Sequence, residues 1–308
     1  MAVQDLGGAP LSLADGSAAT SDWGVLLVAH GTVSRLEELP DFLDQIRRGR
    51  PAPQELIDEL AERYRHIGGS PLLELTQRQA EAVSARLGVP AFVGMRLWHP
   101  FVEEVLPRAR GLRRLCVVPM APYSVDVYRA AATSSFSAVP GAPEPVFVEP
   151  WGSEAALIEA HAELIRTTLG PHLASTEIVL TAHSLPLVAI RRGDRYCQEF
   201  DASARAVERI VGKRCHIAYQ SQGEGGGEWL GPGIEETLVS LAEAGAETVA
   251  IAPIGFLAEH VETLYDLDVA ALEQARCLGL SLVRVPTLNT HPGLIEAVAR
   301  VARRAMAQ

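Results

Sequence analysis

Glu177-Ile178-Val179-Leu180-Thr181-Ala182-His183-Ser184-Leu185-Pro186 decides how this chain is read. Its apolar run, Ile178-Val179-Leu180, reads as a buried strand, and His183 falls at that strand's C-terminal end. Open α/β sheets place their ligands there. A second stretch, Gly255-Phe256-Leu257-Ala258-Glu259-His260-Val261-Glu262-Thr263-Leu264-Tyr265-Asp266, supplies acids. On a helix, Glu259, Glu262 and Asp266 fall at i, i+3 and i+7, which predicts three carboxylates along one face. Like charges that close repel unless something positive sits among them. Imidazole with carboxylates suits a divalent ion such as Fe²⁺, Co²⁺ or Zn²⁺. The bland alternatives are a solvated acidic face and a histidine that only makes structural hydrogen bonds. Phe256, Leu257, Leu264 and Tyr265 interleave with the acids, so the segment is expected to be part buried.

Outward from these stretches, short apolar runs alternate with amphipathic segments. Strands are predicted at 25–29, 91–93, 115–120, 145–148, 177–182, 216–219, 248–253 and 281–285. Helices are predicted at 54–66, 75–87, 154–169, 234–244 and 294–306, among others. This alternation predicts an α/β chain with parallel sheets covered by helices. The strands divide evenly about position 150. The expected organisation is a flexible tail at 1–22, an N-terminal Rossmann-like domain at 23–150 and a C-terminal one at 151–308. Each domain would hold a roughly four-stranded parallel sheet, with a cleft between the two. No sequence repeat relates the halves.

Composition narrows the class. The 308 residues are 48% hydrophobic and 21% charged, as in ordinary globular proteins. A formal charge of −11 argues against non-specific nucleic-acid binding. No apolar run approaches the roughly 18 residues of a membrane-spanning helix. Cys116, Cys197, Cys215 and Cys277 form no CxxC pair, so neither a zinc knuckle nor an iron–sulfur centre is indicated. This usage, with no basic and apolar leader at the N-terminus, predicts a cytoplasmic protein. Lys213 is the one lysine among the cations, and arginine is the better carboxylate clamp.

Several motifs, in order, resemble the ferrochelatase family. They are Ile46-Arg47-Arg48-Gly49-Arg50-Pro51, Ile67-Gly68-Gly69-Ser70-Pro71-Leu72, Gly94-Met95-Arg96 and Pro100-Phe101-Val102-Glu103-Glu104. Ala182-His183-Ser184-Leu185-Pro186, Gln220-Ser221, Trp229-Leu230-Gly231-Pro232 and the stretch from Gly255 to Asp266 complete the set. The resemblance implies two Rossmann-like domains around a porphyrin cleft and insertion of Fe²⁺ into the macrocycle. His183 and Glu262 would be the catalytic and metal-handling pair, with Asp266 and Glu259 relaying metal or protons. The family usually has Asp where Glu259 stands.

The Arg-Arg-Gly-Arg run most resembles the coproporphyrin III branch found in monoderm bacteria. Arg47, Arg48, Arg50 and Ser70 would meet the propionates, while Tyr123 and Trp229 would line the ring's cleft. His30 stands where that branch often carries a tyrosine that approaches the metal from the opposite face. The remaining histidines are assigned to surface or core.

The implied partners are the porphyrin, ferrous iron and an enzyme that takes the iron coproporphyrin onward. No resident cofactor, no membrane insertion and a monomer are expected. Three alternatives accompany this reading. One is a protoporphyrin IX ferrochelatase. Another is a sirohydrochlorin or cobalt chelatase, because Ala29-His30-Gly31-Thr32 resembles that group's N-terminal His-Gly-Ser. The third is a non-catalytic porphyrin or haem carrier.

Overall fold

The structure, a computed structural model, describes residues 22–47, 49–123, 125–223 and 227–308. The expected tail lies, except for Asp22, outside the described residues. Strands β1 (Trp23–Ala29), β2 (Ala91–Met95), β3 (Arg114–Pro119) and β4 (Glu144–Phe147) form one parallel sheet in the order β2-β1-β3-β4. Strands β5 (Glu177–His183), β6 (Cys215–Gln220), β7 (Thr248–Ala252) and β8 (Ser281–Arg284) form the second, in the order β6-β5-β7-β8. The central strands are the most apolar. Val25, Leu26, Leu27 and Val28 on β1, and Ile178 and Leu180 on β5, are fully buried because helices cover both faces. The two halves therefore share one strand order, a symmetry that the residues themselves do not display.

Helices start and stop where local chemistry dictates. The helix Gln54–Ile67 follows Pro53 and ends at Gly68, whose φ of 74° suits a left-handed cap. The helix Leu72–Leu87 ends the same way at Gly88.

The boundary near 150 separates the sheets but not the layers. The helix Ala155–Leu169 lies between them. Ala156, Leu157 and Ala160 pack with β1 and β3, while Ile158, Ala162 and Ile165 pack with β5 and β7. The last helix, Pro292–Met306, returns to the first sheet. Its Leu294, Val298 and Val301 pack with Val25, Leu27, Cys116 and Val118. Small residues on this helix, Ala297, Ala302 and Ala305, allow the close approach. The expected C-terminal domain, 151–308, contributes its final helix to the core around the first sheet.

Two consequences are measurable. Leu294 is fully buried in that shared core. Leu294→Ala is expected to cost about 2–5 kcal/mol of stability in urea unfolding, through lost burial and a residual cavity. His161, on the helix between the sheets, is buried with Nε2 unpartnered. Burial, then the charge of His291, lowers its pKa from 6.5 to about 3. The unfolded chain therefore binds a proton that the folded chain refuses between those values. This contribution to stability is complete above pH 6.5 and falls away as pH drops toward 3. Unfolding midpoints of His161→Phe should show a shallower acid limb than those of the parent.

Candidate functional site: a cleft between two strand-end histidines

Parallel strands deliver their C-terminal ends to one edge, and here both sheets deliver them to the same cleft. His30 follows β1 directly, and His183 closes β5. On the neighbouring strands, Arg96 follows the Ala29–Met95 register pair, and Gln220 pairs with His183. Between the sheets lies a cavity of about 320 Å³. His30, Arg96 and Tyr128 line it from one side; His183, His260 and Glu262 line it from the other. A larger groove of about 510 Å³ runs beside β6, but its Arg205 is already ion-paired to Asp201 and Glu208, and its His216 is hydrogen-bonded to Glu177.

His183 and Glu262, expected as a pair, are brought together: Nδ1 lies 3.0 Å from Oε2. His260 reaches the same oxygen, with Nε2 at 3.7 Å. Burial alone would raise the pKa of Glu262, but the neighbouring His183 and His260 outweigh it and hold the carboxyl well below its usual range. For His183 burial lowers the pKa, and the Glu262 carboxylate outweighs burial to raise it above 6.5. The contact therefore favours the protonated imidazole and the ionised carboxylate together.

A buried chain aims Glu262. Thr181 Oγ1 donates to Gln220 Oε1 at 2.8 Å, and Gln220 Nε2 donates to the Glu262 carbonyl at 2.8 Å. Gly255 permits the approach of this segment to β5, since a Cβ there would sit 2.5 Å from the Cβ of Ala182.

The three acids do not share one helical face. The helix begins only at Val261, after His260, and becomes π-helical from Asp266 to Ala271. Glu259 precedes it in non-helical backbone, so it does not lie on the helical face expected of it. Its carboxylate pairs with Arg284 and accepts bonds from Thr263 Oγ1 at 2.6 Å and the Thr287 amide at 2.8 Å. Glu259 ties this segment to β8 and does not line the cavity. Asp266 lies outside the cavity lining, accepts a bond from Ser221 and sits 3.6 Å from Arg63. Burial raises its pKa to about 6.

His30 lines the cavity as expected. Burial first, then Arg96, lowers its pKa to about 4, so it is neutral at pH 7. Tyr123 also lines the cavity, its ring edge-on to Tyr196 and Phe200.

The other expected contacts lie elsewhere. Trp229 packs against Gly223 and bridges to Pro186, anchoring its loop outside the cavity lining. Arg47 and Arg50 bond each other's backbone carbonyls on an exposed turn. Arg48 falls outside the described residues. Ser70 is half-buried with an unpartnered Oγ, also away from the cavity. Sequence reasoning missed His260, Arg96, Tyr128 and the bracing role of Gln220. His260 stood inside the quoted acidic stretch, and its proximity to Glu262 at i+2 was the available signal.

This arrangement of two like-ordered parallel sheets with a histidine–carboxylate pair in the cleft is that of a two-domain α/β chelatase. Among solved structures, SirB from Bacillus subtilis with Fe³⁺ shares the fold at a TM-score of 0.56 and 13% identity, over 92% of this chain and 96% of that one. CbiX, the terminal enzyme for biosynthesis of siroheme in denitrifying bacteria, does so at 0.52 and 17%, over 92% and 99%. The ferrochelatase family model matches residues 22–306. A ferrochelatase of Acidobacterium capsulatum is 36% identical over 305 residues, covering 91% of this chain and 93% of the relative. A coproporphyrin III ferrochelatase of Mycobacterium avium is 34% identical over 284 residues, covering 87% and 83%. The chain belongs to the ferrochelatase family and is a metal-inserting lyase.

The opposing effects on His183 give a direct test. In Glu262→Gln the carboxylate is gone and burial dominates. The His183 ring should titrate above 6.5 in the parent and below 6.5 in the variant when followed by NMR. An unchanged value would remove Glu262 as the source of the shift.

Proposed function

We propose that the protein inserts Fe²⁺ into coproporphyrin III, releasing two protons and giving iron coproporphyrin. The observation that carries the reading is the half-buried His183–Glu262 pair facing a cavity between the domains. Relatives named as coproporphyrin III ferrochelatases, at 33–34% identity, favour that macrocycle over protoporphyrin IX, although others carry the plain family name.

Insertion requires removal of two pyrrole N–H protons, stripping of water from the metal and a ring nitrogen lone pair turned toward it. No electron is transferred, so no redox cofactor is required. At rest Glu262 is ionised and ready to accept a proton or a metal. His183 can accept a proton or a metal only in its neutral form, and the Glu262 carboxylate shifts it toward the protonated one. Their contact lets one group's proton leave as the other takes its load. Neutral His30 on the opposite wall adds no positive charge against an arriving dication.

The arginines of the 47–50 turn remain, in this reading, partners for propionates that project beyond the cavity. A monomer working without an iron–sulfur cluster, and handing its product to a further enzyme, completes the proposal.

Anaerobic turnover with Fe²⁺ tests it, with coproporphyrin III, protoporphyrin IX and sirohydrochlorin in parallel. Coproporphyrin III should be metallated fastest. His183→Ala and Glu262→Gln should each lower kcat by about 10²–10⁴-fold, the range for loss of a proton-transfer group. Preference for protoporphyrin IX would keep the class and overturn the substrate. Stoichiometric binding without turnover would leave a carrier.

A further inference from the structure

Glu262 sits on a helix too short to hold itself. Val261–Leu264 is a single turn, and the chain becomes π-helical from Asp266. An isolated turn is unfavourable, because it fixes several dihedrals for one hydrogen bond, and π-helical turns are rare. The 3.0 Å contact between Glu262 Oε2 and His183 Nδ1 therefore needs support from outside the segment. Gln220 gives one such support, at the Glu262 carbonyl.

Arg284, the last residue of β8, holds the chain on both sides of Glu262. Its Nη2 pairs with Glu259, three residues earlier, and its Nε lies 3.0 Å from Asp268 Oδ1, six residues later. Nη1 donates to the Val285 carbonyl at 2.7 Å, so all three nitrogens of the fork are engaged. Glu259 carries the anchorage inward. Its Oε2 accepts from Thr263 Oγ1 at 2.6 Å, and that hydroxyl accepts from the His260 amide at 3.0 Å. The network thus closes around the start of the turn that carries Glu262. The side chains of Arg284 and Glu259 are only 15% and 12% exposed. An ion pair buried to that extent differs from a surface pair of little worth, because removing one partner leaves the other's charge uncompensated. Burial alone would raise the pKa of Glu259, but Arg284 outweighs it and holds the carboxyl below its usual range.

We infer that Arg284 is a positioning residue for metal insertion. By clamping Glu259 and Asp268 to β8, it holds the Glu262 carboxylate within reach of His183. The inference rests on the reading of His183 and Glu262 as the reacting pair. Arg284 is not among the residues lining the cavity, so it acts through Glu262. Guanidinium suits the task, because its donors diverge in one plane and can meet two acids at once, whereas an ammonium is a point charge.

A double-mutant cycle on the full chain tests the inference. Anaerobic metallation with Fe²⁺ is measured for coproporphyrin III and protoporphyrin IX, with folded sites counted by metal-free porphyrin binding. Arg284→Met should lower kcat per site by about ten- to hundredfold, the scale of a misplacement of about 1 Å, and leave porphyrin affinity within about threefold. In the Glu262→Gln background the same change should cost no more than about threefold, because the group it positions is gone. Arg284→Lys, which keeps the charge but cannot span both acids, should lose less than the methionine variant and serves as the readout if that variant fails to fold.

An undiminished loss in the Glu262→Gln background would overturn the inference. So would weaker porphyrin affinity at unchanged kcat, or fewer folded sites at unchanged kcat, which is what a purely structural ion pair predicts. Parental kcat in Glu262→Gln alone would overturn the reading of the pair and the inference with it. Preference for protoporphyrin IX would overturn the coproporphyrin reading alone, and the same non-additive loss on that ring would support the role of Arg284.

Discussion

Everything in the cleft depends on keeping one carboxylate charged inside a protein. Burial pushes Glu262 toward its neutral form, and in a low-dielectric wall that form would win. Two imidazoles converge on the same Oε2 atom and reverse the balance. Oε1 is spared by both contacts. The position of the charge is then fixed through the backbone: Gln220 holds the Glu262 carbonyl, and Thr181 holds Gln220. These groups come from β5, β6 and the short helix after β7. The site therefore exists only when the three strand ends are in register.

The shared strand order gives the cleft two walls built on one plan. His30 and His183 occupy matching places at the ends of β1 and β5, and Arg96 matches Gln220 on the adjoining strand. The walls differ in what their neighbours do to the imidazole. Glu262 raises His183, whereas Arg96 joins burial in lowering His30. Equivalent backbone thus carries two histidines whose affinities for a proton are shifted in opposite directions.

Much of this was legible in the residues because it follows from short-range rules. Buried parallel strands are apolar runs, so all eight strands and the position of His183 could be read directly. Helix ends were less secure: the segment predicted at 75–87 begins at Leu72, and that at 294–306 begins at Pro292. The acid row failed for a physical reason. Periodicity assumes that the helix is already running at Glu259, but Arg284 and the Thr287 amide, distant in sequence, hold that carboxylate outside it. The π-helical turn from Asp266 then shifts the register again. Arg96 and His260 were hidden because their importance comes from what surrounds them, the neighbouring His30 in one case and a shared oxygen in the other.

The layers also constrain how the cleft can open. A simple hinge would need a boundary crossed by little packing, yet the helix between the sheets touches both, and the last helix fills the core of the first. Further ties lie nearer the cavity. Gln79, on the first half, donates to the Asn289 carbonyl at 2.7 Å, and Arg63 meets Asp266 and stacks on Tyr265. Val261, one residue from Glu262, packs against Tyr64 and Phe42 of the first half. Separating the halves as rigid bodies would expose this core and displace Glu262 from His183 together. Access for a large flat ligand is therefore cheaper through local movement at the cavity lining, where Val127 is exposed and carries no core packing. On that physical ground the His183–Glu262 pair keeps its geometry while the mouth adjusts around a ligand.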